Sequence, residues 1–140
     1  MNEEQLLEVL HYKTLSIGND KFLHSVPITC PATDEEKEAC QEKGQITLKD
    51  HNDEPIAVLE NPVFYENRKE EIAARVFGTT SGKHPKIENM NNEGPWLVTG
   101  SRLRVLKKVQ YNDGLDEYRL TPQQIVDAAK EKDADVIYAF

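Results

Sequence analysis

Gln45-Ile46-Thr47-Leu48-Lys49 and Pro55-Ile56-Ala57-Val58-Leu59 flank the polar tetrad His51-Asn52-Asp53-Glu54. Apolar and polar residues alternate in both runs, which is the period of a strand with one buried face, and the tetrad supplies turn chemistry. Residues 45–59 therefore read as a β-hairpin. Asn61-Pro62 closes its second strand, because proline has no amide to donate to a ladder. On either side the period changes. Upstream, Thr33-Asp34-Glu35-Glu36 is a capping box that opens an acidic helix to about Glu42, stopped by Gly44. Downstream, Phe64 to Phe77 places Tyr65, Lys69, Ile72, Ala73 and Val76 on one side and charges on the other, so an amphipathic helix ending at Gly78 is expected.

Farther out, Leu6, Leu7 and Leu10 follow an Asn2 cap at helical spacing, predicting a helix over 3–10 that needs a partner to pack on. Phe22, Val26, Ile28 and Cys30 predict a strand over 22–30 that ends near Pro31. Pro85 opens a short helix with Ile87 and Met90 inward. A long extended segment then runs from Trp96 to Tyr111, with a turn at Asn112-Asp113-Gly114. Thr121 as cap and Pro122 at the first helical position start a helix over 122–132. Ala134 to Phe140 is apolar on both faces, as a central parallel strand would be. A helix followed by such a strand is half of an α/β unit. The expectation is one domain plus the opening of another.

The chain has 140 residues, 38% of them hydrophobic and 30% charged, with a formal net charge of −8. That size fits one core of ordinary dimensions. The charge is uneven: residues 1–60 hold 5 basic and 13 acidic groups, residues 61–140 hold 12 of each. An acidic surface repels phosphate backbones, so nucleic acid is an unlikely partner unless basic groups cluster. No apolar run reaches the roughly 18–20 residues of a membrane span, and the acidic start differs from a signal peptide. The expected setting is soluble and cytoplasmic, with the nucleus a second compartment.

Motifs for chemistry are sparse. Cys30 and Cys40 form no C-x-x-C pair and are expected to be reduced, half-buried thiols. His11, His24, His51 and His84 have no metal-ligand spacing, and neither a phosphate-cradling glycine loop nor a nucleophile elbow occurs. Gly78-Thr79-Thr80-Ser81-Gly82 is either an anion-binding loop or, more simply, the end of a helix. Arg102, Arg104 and Lys108 share one face of a strand over 102–109, either a ribbon for an anion or RNA or a solvated face. Asn112-Asp113-Gly114-Leu115-Asp116-Glu117-Tyr118-Arg119 gathers carboxylates and an arginine in a turn. They could hold a cation or orient a phosphate; the simpler reading is that Asp116 or Glu117 pairs with Arg119 to fix the turn.

The segment 61–80, His84-Pro85, Gly94-Pro95-Trp96-Leu97-Val98-Thr99-Gly100 and the segment 112–122 resemble ATP sulfurylase (sulfate adenylyltransferase), most closely the sulfurylase half of bifunctional PAPS synthetases. Ser25-Val26-Pro27-Ile28, Ala32-Thr33 and the segment 134–140 extend the resemblance over nearly the whole chain. Thr99-Gly100-Ser101-Arg102 replaces the family's usual Gly-Gly-Asp-Leu, and Tyr111 stands where the family often has tryptophan. The resemblance implies an α+β fold: a PUA-like mixed β-barrel with short helices over 1–121, then at 122–140 the first strand of an α/β catalytic domain.

The family's signature, Gln-x-Arg-Asn-Pro-x-His-x-x-His, would begin just past the position matched by Phe140. Residues 1–140 are therefore expected to hold no catalytic, cofactor or metal residues of their own, the parent using ATP with magnesium. The implied partner is the catalytic domain, with a homodimer as a further expectation. Asn112, Asp113, Asp116, Tyr118, Arg119 and Phe140 are the candidate interface to that domain. Two rival readings use the same residues: a free-standing PUA-like module binding RNA through Arg102, Arg104 and Lys108, and a small enzyme built on Asp113, Asp116 and Arg119.

Overall fold

The computed structural model describes residues 1–50 and 52–138, the side chains of 41 and 42 excepted. The expected hairpin is present, β4 (Gln45–Lys49) against β5 (Pro55–Glu60), with a bulge at Leu48/Lys49. Its turn residue His51 lies outside the described residues. The edge β5 leaves open is taken by β8 (Arg102–Val105), antiparallel, giving the order β4-β5-β8. A second sheet has the order β3-β7-β6, from β3 (Pro31–Ala32), β7 (Trp96–Thr99) and β6 (Val63–Glu66). Both sheets are open, and a separate two-stranded ribbon and short helices complete the α+β fold expected from the sequence.

Besides the helical passage from β3 to β4, the chain passes from one sheet to the other by two short crossings, between β5 and β6 and between β7 and β8. The two crossings lie side by side. Asn61 Nδ2 donates to Ser101 Oγ at 2.9 Å, and the Ser101 amide donates to the Glu60 carbonyl at 2.9 Å. Asn61 adopts φ +50, which asparagine tolerates better than most residues. Gly100 is needed for a different reason. A β-carbon there would sit 2.6 Å from the Glu60 carbonyl oxygen and 2.6 Å from the Leu59 side chain.

The core lies beside the second sheet. α1 (Glu3–Tyr12), capped by Asn2 and Gln5 in a reciprocal box, contributes Leu6, Val9 and Leu10. β6 gives Tyr65, β7 gives Leu97 and the helices between them give Ile72 and Met90. The Tyr65 hydroxyl donates to the Met1 carbonyl at 2.7 Å, and burial pushes its pKa up to about 12. Arg68 Nη2 meets Glu3 Oε1 at 2.8 Å, so α1 is tied to the rest by both apolar and charged contacts. α2 (Asp34–Lys43) has the expected Thr33–Glu36 box, and α4 (Pro85–Asn91) buries Ile87 and Met90.

Four elements differ from the sequence reading. The helix expected from Phe64 starts five residues later: Val63-Phe64-Tyr65-Glu66 is strand β6, and α3 (Lys69–Ile72) continues into a π-helical turn (Ala73–Phe77). β-branched and aromatic residues beside an available partner strand outweigh the helical period. The strand expected over 22–30 is instead the hairpin β1 (Thr14–Ile17) and β2 (Asp20–Leu23), turned at Gly18-Asn19, followed by an irregular stretch into β3. Glu8 fixes this hairpin to α1, accepting from the Ser16 amide (3.0 Å), Ser16 hydroxyl (2.9 Å) and Thr14 hydroxyl (3.1 Å). These bonds hold its pKa below the ordinary value.

The extended segment 96–111 is broken at the Gly100-Ser101 crossing and ends at Val105. Lys108 consequently lies beyond the strand it was expected to share with Arg102 and Arg104. The fourth difference is the strand expected at 134–140: residues 134–138 form none, and 139–140 lie outside the described residues. A strand exists only through its ladder partners, and in residues 108–138 there is no other strand to provide them. Arg75 pairs with Glu71 (2.9 Å) at the surface.

The chain divides into two compact units, Met1–Lys107 and Lys108–Phe140. Gly100→Ala is expected to destabilise the first by about 1–3 kcal/mol or more, since the clash is with backbone. A urea melt followed by far-UV circular dichroism should show the midpoint fall; an unchanged midpoint would refute the crossing constraint.

Candidate functional site

The turn at 111–119 is built around two aspartates. Asp116 accepts the backbone amides of Tyr111 (3.0 Å) and Asn112 (2.8 Å), closing the loop through its own side chain. Asn112 takes φ +53 and Gly114 φ +81 to make the bend. Asp113 accepts the Leu115 amide at 3.0 Å and then grips Arg119 with both oxygens, Oδ1 to Nη1 at 2.7 Å and Oδ2 to Nη2 at 2.6 Å. Arg119 Nη1 also reaches Asp116 Oδ1 at 3.0 Å, and the guanidinium lies over the Tyr111 ring, 4.6 Å from its centre.

This arrangement spends Arg119 internally. Bidentate pairing with one aspartate, a bond to a second and a stacked ring leave little of the fork for a phosphate. The Arg119 guanidinium and then the Leu115 amide hold the Asp113 carboxyl well below the usual range. For Asp116 the Tyr111 and Asn112 amides do most of this. Of the six residues named from sequence, the structure brings together Asn112, Asp113, Asp116 and Arg119. Tyr118 is 73% exposed, and Phe140 lies outside the described residues. The sequence reading missed Tyr111 as the stacking partner.

Arg119 also lines an apolar cleft of about 750 Å³ with Tyr118, Ile125, Ala129, Val136 and Ile137. α5 (Pro122–Glu131), capped by Thr121 and Gln124, forms one wall. The apolar stripe Ile125, Ala128, Ala129 at helical spacing is the sequence signal for this wall, beyond the cap and the proline that start the helix. No described residue from Lys108 to Tyr138 is buried. Leu115, Leu120, Val126 and Tyr138 are all exposed, Tyr138 at 82%. A segment that cannot enclose its own apolar side chains lacks the main source of folding free energy.

Other candidates assemble less. Arg104 is held by Glu60 at 3.4 Å, and Lys107 pairs with Glu54 and lies 3.9 Å from Asp50. Cys30 and Cys40 are free, and burial pushes both thiols up, away from reactivity. Among the described residues no three His, Cys, Asp or Glu side chains are grouped to hold a metal ion, so those present do not fit a magnesium site. No helix there is long and apolar enough to cross a membrane.

The chain belongs to the PUA-like domain family, whose sequence model matches residues 1–108. Over its whole length it is also similar to ATP sulfurylases. It is 35% identical to ATP sulfurylase 4, chloroplastic, of Arabidopsis thaliana across an alignment of 142 positions, and 35% identical to ATP sulfurylase 2 of the same plant. The sulfate adenylyltransferase of Carboxydothermus hydrogenoformans is 31% identical over 100 residues, 71% of this chain and 26% of that protein. The chain spans about 30% of the length of the two plant relatives.

Because both aspartate pKa values are depressed, their contribution to the turn is full at neutral pH. It should begin to fall only below the ordinary aspartate value of 3.8 and vanish at the still lower folded values. Tyr111 ring and Arg119 side-chain NMR shifts should therefore stay constant from pH 7 to about 4.5. A transition near pH 6 would contradict the assignment.

Proposed function

We propose that this chain is the non-catalytic, PUA-like portion of an ATP sulfurylase, whose separate catalytic portion joins ATP and sulfate into adenylyl sulfate and releases pyrophosphate. Residues 112–138 are its seat against that portion, with 122 onward the opening of the catalytic domain. One observation carries the reading: no described residue of the second unit is buried, and its apolar side chains line an open cleft. The greater length of the relatives supplies an occupant.

In this reading Asp113, Asp116 and Arg119 act mechanically. They hold the chain in one bend just before α5, so that the apolar stripe is presented in a fixed orientation to the turn. ATP with magnesium is bound by the catalytic portion, whose cationic side chains offset charge building at the α-phosphate. The exposed Ile17 and Phe22 of the β1–β2 hairpin support a further role in subunit contacts, a second copy being the partner.

The test uses the 140-residue chain and the separately produced remainder of ATP sulfurylase 4. The chain alone, given ATP, magnesium and sulfate, is expected to release no pyrophosphate above a protein-free blank. Adding the remainder should raise hydrogen-exchange protection of residues 118–138 at least tenfold, and Ile137→Asp should remove that gain without altering protection of residues 6–10. Turnover by the chain alone, or no change in 118–138 on mixing, would overturn the proposal.

A further inference from the structure

Of the seven glycines in the chain, only Gly114 follows an aspartate or an asparagine. In an Asp-Gly step the glycine amide nitrogen can attack the aspartate's side-chain carboxyl carbon, because glycine has no β-carbon to obstruct the approach and tolerates the backbone angles it requires. The nitrogen gives up its proton, the carboxyl gives up one oxygen as water, and a five-membered succinimide closes. Water then opens the ring. Opening at the side-chain carbonyl restores aspartate, whereas opening at the main-chain carbonyl leaves isoaspartate, with the backbone routed through the β-carbon. Water lost in the first step is regained in the second, so the net change is an isomerisation that needs no other reactant.

The surroundings of Asp113-Gly114 favour this reaction in all respects but one. Both residues are exposed, and they lie in neither helix nor strand. The Asp113 side chain is 42% exposed, so water reaches it. Around Gly114 there is open space: a β-carbon built there meets no heavy atom within 4 Å.

The opposing feature is the grip of Arg119. Its two terminal nitrogens hold the two carboxyl oxygens of Asp113 at 2.7 and 2.6 Å, and the Leu115 amide adds a third bond at 3.0 Å. Ring closure requires the carboxyl to swing onto the Gly114 nitrogen, which means breaking all of these bonds together, and a side chain kept out of its reactive pose reacts slowly. Closure also expels an oxygen as water, which the neutral acid does readily and the carboxylate does not. Charge-assisted bonds to the guanidinium keep the carboxylate form.

From this arrangement we propose that Asp113-Gly114 is an isoaspartate-forming site held closed by Arg119. Conversion moves the free carboxylate to the α-carbon and lengthens the turn by the β-carbon, so the paired grip of the arginine is not rebuilt. This chemistry belongs to the turn itself, whatever residues 112–138 dock against.

The test incubates the full 140-residue chain in heavy-oxygen water and maps its peptides by mass spectrometry. Each ring opening incorporates label, and the isoaspartyl peptide separates from its parent on chromatography. At about pH 5 the native chain should label at Asp113 about tenfold more slowly than the same chain in urea, each unit by which the carboxyl is released being a tenfold change in neutral acid. Arg119→Ala should remove most of that difference in the native state, and Arg119→Lys, which keeps the charge without the fork, should fall between. In urea all three chains should label alike. Asp113→Glu, whose ring would be six-membered, should give no product at 113. Equal rates in buffer and urea would overturn the proposal, as would no label at Asp113 in either, or an Arg119→Ala chain with unchanged far-UV circular dichroism that labels no faster than its parent. Should that variant lose its helical signal, the same comparison with Arg119→Lys decides.

Discussion

The paired crossings at Glu60–Val63 and Thr99–Arg102 govern the first unit. Each sheet has three strands, and a strand from each is continuous with a strand in the other, so the register of β5 on β8 and of β6 on β7 is set jointly. The Asn61–Ser101 bond and the close passage of Gly100 under Glu60 hold the two crossings together. A one-residue slip at either would turn the buried faces of two sheets outward at once. This explains why a short, highly charged chain can hold strands of only four residues in place.

Much of this was legible where the signal is local. The caps at Asn2 and Thr121, the capping box at Thr33, the proline at position 122 and the hairpin 45–59 depend on residues within a few positions of one another, and each appears as read. Legibility ended where a distant partner decides. Val63-Phe64-Tyr65-Glu66 is a strand because Trp96–Thr99 lies alongside, and no window around residue 64 contains that fact. The same reasoning in reverse accounts for 134–138, whose composition is that of a central strand and whose conformation is not, for want of a neighbour. The site divides in the same way. Pairing of Asp116 with Arg119 was foreseeable at three residues' separation, whereas the stronger grip of Asp113 and the stacking of Tyr111 depend on how the loop closes.

Charge follows a similar logic. The acidic excess of the first sixty residues is partly absorbed by named pairs, among them Arg68 with Glu3 and Lys107 with Glu54. Most of these pairs are exposed and contribute little singly. Their value is positional: Arg68, at the head of α3, links that helix to α1 across 65 residues, and Lys107 anchors the last residue of the first unit to the β4–β5 turn.

The lack of any buried residue among those described after Lys107 also bears on synthesis. Chains emerge from the ribosome N-terminus first, at about 5–20 residues per second, and domains fold as units in that order. Unit one carries its whole core within its own span and can close as soon as β7 and β8 are out. The apolar side chains at 115, 120, 125, 126 and 136–138 then spend an interval with nothing to cover them. Apolar surface left open in this way is the part of the chain most prone to aggregate during synthesis.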